Sequence, residues 1–151
     1  MKDKLFALFL AVVIMLAMLQ FLPKPLHKQL DLQNATCQVF CRTTSASYTD
    51  VGFGKIVECN GNNFANILLQ CKHVDGTSFS FVASTKEVQK LVQQLGVIVH
   101  TTQNLGKLTI LCGYSPKIVG GVYLDGNKTN VQIAFDGNKI TIGSPLILGD
   151  Y

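Results

Sequence analysis

The chain has 151 residues, 48% of them hydrophobic and 15% charged, with 13 basic and 9 acidic side chains. The positive excess belongs to residues 1–28, where Lys2, Lys4, Lys24 and Lys28 face Asp3 alone; the remainder carries nine basic and eight acidic residues. A nucleic-acid interface needs clustered Lys and Arg on the folded part, and Arg42 with eight scattered lysines does not supply it, so no nucleic-acid partner is expected.

Leu5 to Leu22 is an eighteen-residue run with no charge and Gln20 as its one polar residue. A helix rising about 1.5 Å per residue needs about 20 apolar residues to cross a hydrocarbon core of about 30 Å, and this run comes close. It is longer than the roughly 7–15 apolar residues of a cleaved secretory signal, and it leads into Leu22-Pro23-Lys24-Pro25 where small residues should mark a cut site. The reading is a retained signal-anchor, a transmembrane helix whose partner is the lipid bilayer through residues 5–22. A lipid anchor is not indicated, because Asn34-Ala35-Thr36-Cys37 lacks an opening Leu and lies far past the apolar run. Lysines flank the run on both sides, so charge does not choose an orientation. A very short N-terminal tail stays in the cytoplasm by default, which puts the rest outside the cell membrane. Three segments follow: an N-terminal anchor at 1–23, a juxtamembrane linker at 24–35 and an extracytoplasmic domain at 36–151.

Within the domain, Thr36 to Thr44 alternates Cys37, Val39 and Cys41 with Gln38, Phe40 and Arg42, as a half-buried strand does. Ser45 to Gly54 reads as a loop and Lys55 to Cys59 as a second strand. Phe64, Ile67, Leu68 and Cys71 fall at i, i+3, i+4 and i+7, which predicts a helix capped by Asn62 or Asn63. A turn at Asp75-Gly76 then introduces a strand over Thr77 to Ala83, with Phe79 and Phe81 on one face. Ser84-Thr85-Lys86-Glu87 has capping-box spacing, Val88, Leu91, Val92 and Leu95 form an apolar face, and Gly96 is placed to end the helix. Val97 to Thr101, Lys107 to Cys112, Ile118 to Leu124, Thr129 to Phe135 and Lys139 to Gly143 read as strands. The Asp125-Gly126 and Asp136-Gly137 pairs, eleven residues apart, read as successive hairpin turns. The order predicts an α+β fold: an N-terminal transmembrane helix, then a largely antiparallel sheet with two amphipathic helices on one face.

Five cysteines, Cys37, Cys41, Cys59, Cys71 and Cys112, all follow the apolar run. Each is a candidate disulfide partner or a buried thiol, and the odd number leaves at least one unpaired. Two bridges among five cysteines can be drawn in about 15 ways. Cys37 and Cys41 cannot pair with each other in an extended strand, since about 13 Å exceeds the roughly 7 Å Cα limit. Cys71 with Phe64, Ile67 and Leu68, and Cys112 with Leu108 and Ile110, are expected to point inward.

No catalytic, cofactor-binding or metal-binding residues are assigned. Cys71, His73 and Asp75 bring a thiol, an imidazole and a carboxylate together in sequence, but Cys71 belongs to an apolar face and His73 to an exposed end, whereas a nucleophile and its base must touch. His100 reads as a surface or cross-strand residue. Zinc is not indicated, because no Cys-x-x-Cys or His-x3-His pair starts a site. Gly52-Phe53-Gly54-Lys55 precedes a strand where a phosphate loop precedes a helix, and the Asp-Gly-Asn turns offer too few oxygens for calcium. Asn34-Ala35-Thr36 and Asn127-Lys128-Thr129 have the form of glycosylation sequons.

Gly113-Tyr114-Ser115-Pro116, Asn130-Val131-Gln132-Ile133-Ala134 and Gly143-Ser144-Pro145-Leu146-Ile147-Leu148-Gly149-Asp150-Tyr151 resemble the closing segments of the YwmB-like family of Gram-positive bacterial proteins. The resemblance implies an N-terminal apolar segment and an extracytoplasmic α+β region of unassigned function. That family's likeness to TATA-box-binding proteins is one of shape and implies no DNA binding. The sequence thus reads as a non-catalytic, membrane-tethered domain that binds a protein or cell-envelope partner. The alternatives are a thiol-dependent enzyme or redox protein, and a structural component of a sporulation or cell-envelope assembly.

Overall fold

A computed structural model of the protein describes residues 2–148, the first three of them by backbone alone. Helix α1 spans Lys2–Leu19. Gln20, Phe21 and Leu22 hydrogen bond to carbonyls three residues back, at 3.2, 3.0 and 3.4 Å, so the last turn tightens as the chain approaches Pro23. Proline cannot donate to a helix and disfavours helical geometry in the residue before it. The uncharged helical part is therefore Leu5–Leu19, about 22 Å long at 1.5 Å per residue. This is shorter than the eighteen-residue helix expected, and no helix among the described residues is long and apolar enough to cross a membrane.

The stretch read as a linker is docked on the domain. Lys24 and Ile118 form an isolated parallel bridge, with Lys24 donating to the Lys117 carbonyl at 2.9 Å and Val119 donating to the Lys24 carbonyl at 3.2 Å. Leu26, in a short 3-10 turn at Leu26–Lys28, and Ala35 are each 2% exposed, and Leu30 and Leu32 pack against the same core. Gly61 permits this docking: a Cβ there would overlap the Leu32 carbonyl oxygen. Polar composition made the segment look like a tether, yet four apolar side chains at 26, 30, 32 and 35 are enough to bury one face.

The strands are β1 (Thr36–Thr44), β2 (Thr49–Asp50), β3 (Lys55–Asn60), β4 (Cys71–Val82), β5 (Ile98–Leu105), β6 (Leu108–Tyr114), β7 (Val122–Leu124), β8 (Asn127–Thr129), β9 (Val131–Phe135) and β10 (Lys139–Ser144). Helix α2 (Phe64–Gln70) follows β3, and α3 (Thr85–Leu95) follows β4. Eight strands form one antiparallel sheet in the order β2-β3-β1-β4-β10-β9-β6-β5, while β7 and β8 make a separate hairpin. Register places Cys37, Val39, Val57, Phe79, Ile140, Ile142 and Ile133 on one face. They join Phe64 and Ile67 of α2 and Val88 and Leu95 of α3 in a single core. Two helices thus cover one face of an antiparallel sheet, as the alternation and the helical periodicity predict.

Several boundaries differ from expectation. Helix α2 ends at Gln70, and Cys71 is already extended (φ −97°, ψ 134°), so its core position comes from the start of β4. Asp75-Gly76 is no turn: β4 runs through it, and the register against β1 passes from Phe40–Gly76 to Cys41–Val74, leaving Asp75 as a bulge. The strand expected over Ile118 to Leu124 is reduced to β7, because Gly120 (φ +82°) and Gly121 (φ +128°) turn the chain away from the sheet. The hairpin at Asp125-Gly126 has positive φ at both residues, +48° and +81°, as the twist of a two-residue connection demands.

Helix α3 begins with the expected capping box. Glu87 donates its backbone N–H to the Ser84 hydroxyl at 3.4 Å, and the Glu87 carboxylate accepts the Ser84 backbone N–H at 2.7 Å. The Ser84 hydroxyl, which donates to the same carboxylate at 2.7 Å, and then the Ser84 backbone N–H hold the Glu87 carboxyl below its ordinary range. Gly96 ends the helix at φ +61°, and its N–H donates to the Gln93 carbonyl. Ser84→Ala is expected to cost about 1 kcal/mol, read as a lower urea midpoint at unchanged slope.

Candidate functional site

An open cavity of about 420 Å³ lies beside the residues that follow α1. This lies within the size range of small-ligand pockets, about 300–1,000 Å³. Pro25, Leu26 and His27 form one wall, Leu68 of α2 and Val74–Thr77 of β4 form another, and Val119–Val122 with Ser144 and Pro145 close the rest. The bulge at Asp75 widens β4 there, and Asp75 turns its carboxylate to Arg42, whose Nε donates at 3.1 Å. Both partners are substantially exposed, so the pair contributes at most about 1 kcal/mol.

Asn130 holds the glycine wall in place. It is completely buried between β8 and β9; its Oδ1 accepts the Ser115 N–H at 2.7 Å, and its Nδ2 donates to the Ser115 and Ile118 carbonyls at 2.8 and 2.7 Å. Ser115, also fully buried, donates its hydroxyl to the Leu95 carbonyl and accepts the Lys117 N–H, tying this loop to the end of α3. Sequence reasoning passed over Asn130 by placing it inside a strand. The strand expected over Thr129 to Phe135 holds two amides, Asn130 and Gln132, and nothing local marks Asn130 as the buried one.

His27 stacks at a tilt against Phe64, ring centroids 5.2 Å apart. Burial, and then the neighbouring Lys28 charge, push its pKa below 6.5. The unfolded chain therefore takes up a proton at higher pH than the folded one, and stability should fall as pH drops below about 6.5, levelling off under the folded pKa. His27→Gln should flatten that part of a stability–pH curve measured by urea titration. A slope unchanged by the substitution would assign it to another group.

The five cysteines divide between the two faces of the sheet. Cys37 and Cys41 are fully buried on the helix-covered face of β1; Cys59 lies half-buried on β3, and Cys71 is buried at the start of β4. Burial pushes the Cys37 thiol up to about 12 and the Cys41 thiol up to about 11, and it raises Cys59 as well. Cys112 departs from expectation. It is half-buried and paired in register with Gln132, on the opposite face from the helices, where Gln132 Nε2 donates to its sulfur at 3.6 Å. Both faces of β6 carry apolar residues, so alternation identified a shared face for Cys112 and Ile110 but not which side the helices cover.

Cys71, His73 and Asp75 do not converge. The Cys71 thiol contacts the Thr44 hydroxyl at 3.6 Å, Asp75 binds Arg42, and His73 is exposed with φ +55°. His100 is exposed on β5, at the edge of the sheet. Among the described residues no three His, Cys, Asp or Glu side chains are grouped as metal ligands would be. Compared with known protein families, curated proteins and solved structures, the chain matches none.

Proposed function

We propose that the protein is a membrane-tethered, extracytoplasmic binding domain without catalytic activity, held to the bilayer through residues 5–22 and meeting its protein or envelope partner at the cavity beside that tether. The observation that carries this reading is α1: Leu5, Phe9, Met15 and Leu19 are 70, 66, 57 and 50% exposed, and every other residue between them is exposed too. A helix apolar on all sides has no polar face for water, and lipid is the environment that covers it. With fifteen helical apolar residues, extension through Gln20–Leu22 or local thinning of the bilayer would make up the remaining length. The resemblance of the C-terminal segments to the YwmB-like family supports the extracytoplasmic side. The raised pKa values of Cys37, Cys41 and Cys59 weigh against the thiol-enzyme alternative, since the thiolate is the nucleophile.

Fractionation of cells expressing the full chain tests the reading. The protein is expected in the membrane fraction after alkaline washing, with the domain digested by protease added to intact cells. Replacing Val13 and Leu16 together by Lys should release it, as each charge at the centre of an inserted helix costs about 2.5–3.5 kcal/mol. Recovery of the unaltered chain in the soluble fraction would overturn the tether.

A further inference from the structure

We propose that Cys37 and Cys59 form a disulfide with each other, oxidised by a small-molecule or protein disulfide, and that Cys41, Cys71 and Cys112 remain thiols.

The antiparallel register of β1 and β3 sets Cys37 directly opposite Cys59. Directly opposed residues in such a ladder point to the same face, with Cα atoms about 4.5–5.5 Å apart. A disulfide spans about 4.4–6.8 Å, so this pair closes without moving the backbone. No other pair is placed this way. Cys41 faces Lys55 on one side and Val74 on the other, and Cys71 faces Thr44, three residues along β1 from Cys41. At about 3.3 Å per residue that offset is near 10 Å along the strand, so the Cys41 and Cys71 thiols meet only by reaching toward each other, from backbone positions too far apart for the Cα span of a bridge. Cys112 lies across the sheet, opposite Gln132.

Exposure orders the chemistry. Cys59 is half-buried and reachable, whereas Cys37 is sealed beneath it. The Cys59 thiolate attacks one sulfur of the oxidant and expels its first thiolate, giving a mixed disulfide. The Cys37 thiolate then attacks the Cys59 sulfur and expels the second. Two protein thiols give up two electrons and two protons, and the oxidant disulfide becomes two thiols. A hydrogen bond from the Cys37 thiol favours the Cys59 thiolate over its partner's, consistent with that order.

Peptide mapping of the full chain, purified in detergent and equilibrated with oxidised glutathione, tests the pairing. The oxidised chain should be lighter by two hydrogen atoms, and after unfolding three cysteines should take up iodoacetamide. Chymotryptic cleavage after Phe40 and Phe64 separates Cys37 from Cys41 and Cys59 from Cys71. The fragment ending at Phe40 should be found joined to the one ending at Phe64. Cys112→Ser should leave that linkage intact, and Cys59→Ser should abolish it without a new one appearing. Five alkylated cysteines, a persistent glutathione adduct, or a linkage through Cys41, Cys71 or Cys112 would overturn the proposal.

Discussion

Phe79→Ala should lower stability by about 3–5 kcal/mol, the range for emptying a fully buried aromatic site. For a chain of this size that corresponds to a fall of roughly 6–20 °C in the thermal midpoint. Phe79 has no exposed surface and sits in the central strand β4, between Cys37 of β1 and Ile142 of β10. Its ring meets Phe64 of α2 edge-on, with centroids 5.2 Å apart. The side chain therefore joins the sheet to its helical layer, and the surrounding backbone, hydrogen-bonded on both sides, cannot collapse into the space. Val82→Ala, three residues on and 77% exposed, is the control and should change stability by no more than about 0.5 kcal/mol. Equal midpoints for the two variants would show that Phe79 is not at the centre of the core.

Asn130→Ala should cost about 3–5 kcal/mol through a different mechanism. The substitution opens little volume but leaves the Ser115 N–H and the Ile118 carbonyl without their Asn130 partner, each worth about 1–3 kcal/mol when unsatisfied, and the Ser115 carbonyl with the Ile118 N–H alone. Asn130→Asp should not rescue it, because a carboxylate can accept from the Ser115 N–H yet cannot donate to the two carbonyls, and it buries a charge. Hydrogen exchange gives a readout specific to the loop. The amides of Lys117, Ile118 and Val119, bonded respectively to the Ser115 hydroxyl, the Ser115 carbonyl and the Lys24 carbonyl, should lose protection first. Those of β1 and β3 should retain theirs. Uniform loss of protection would mean that Asn130 supports the whole fold, not the cavity wall in particular.

Read alone, the sequence determined the elements whose cause is local. The strand alternation of Cys37, Val39 and Cys41, the shared face of Phe79 and Phe81, the Ser84–Glu87 capping box with Gly96, and the paired Asp-Gly turns all follow from side-chain period, hydrogen-bonding groups within four residues, or a residue that tolerates positive φ. The α+β architecture with helices on one face was legible for the same reason, since apolar period decides which surface must be buried. Tertiary structure decided what depends on a partner distant in the chain. Leu26, Leu30 and Leu32 look like a tether until the assembled core gives them a place to dock, with Gly61 making room for Leu32. Asp75-Gly76 looks like a turn until β1 pairs with β4 on both sides of Asp75 and carries the strand through as a bulge. Asn130 becomes a lock only where Ser115 and Ile118 approach it. Cys37 and Cys59, one pair among ten, become opposed only once the register of β1 on β3 is set. Periodicity assigns a residue to a face, but the identity of the group across from it is fixed by strand order and register, which are properties of the assembled sheet.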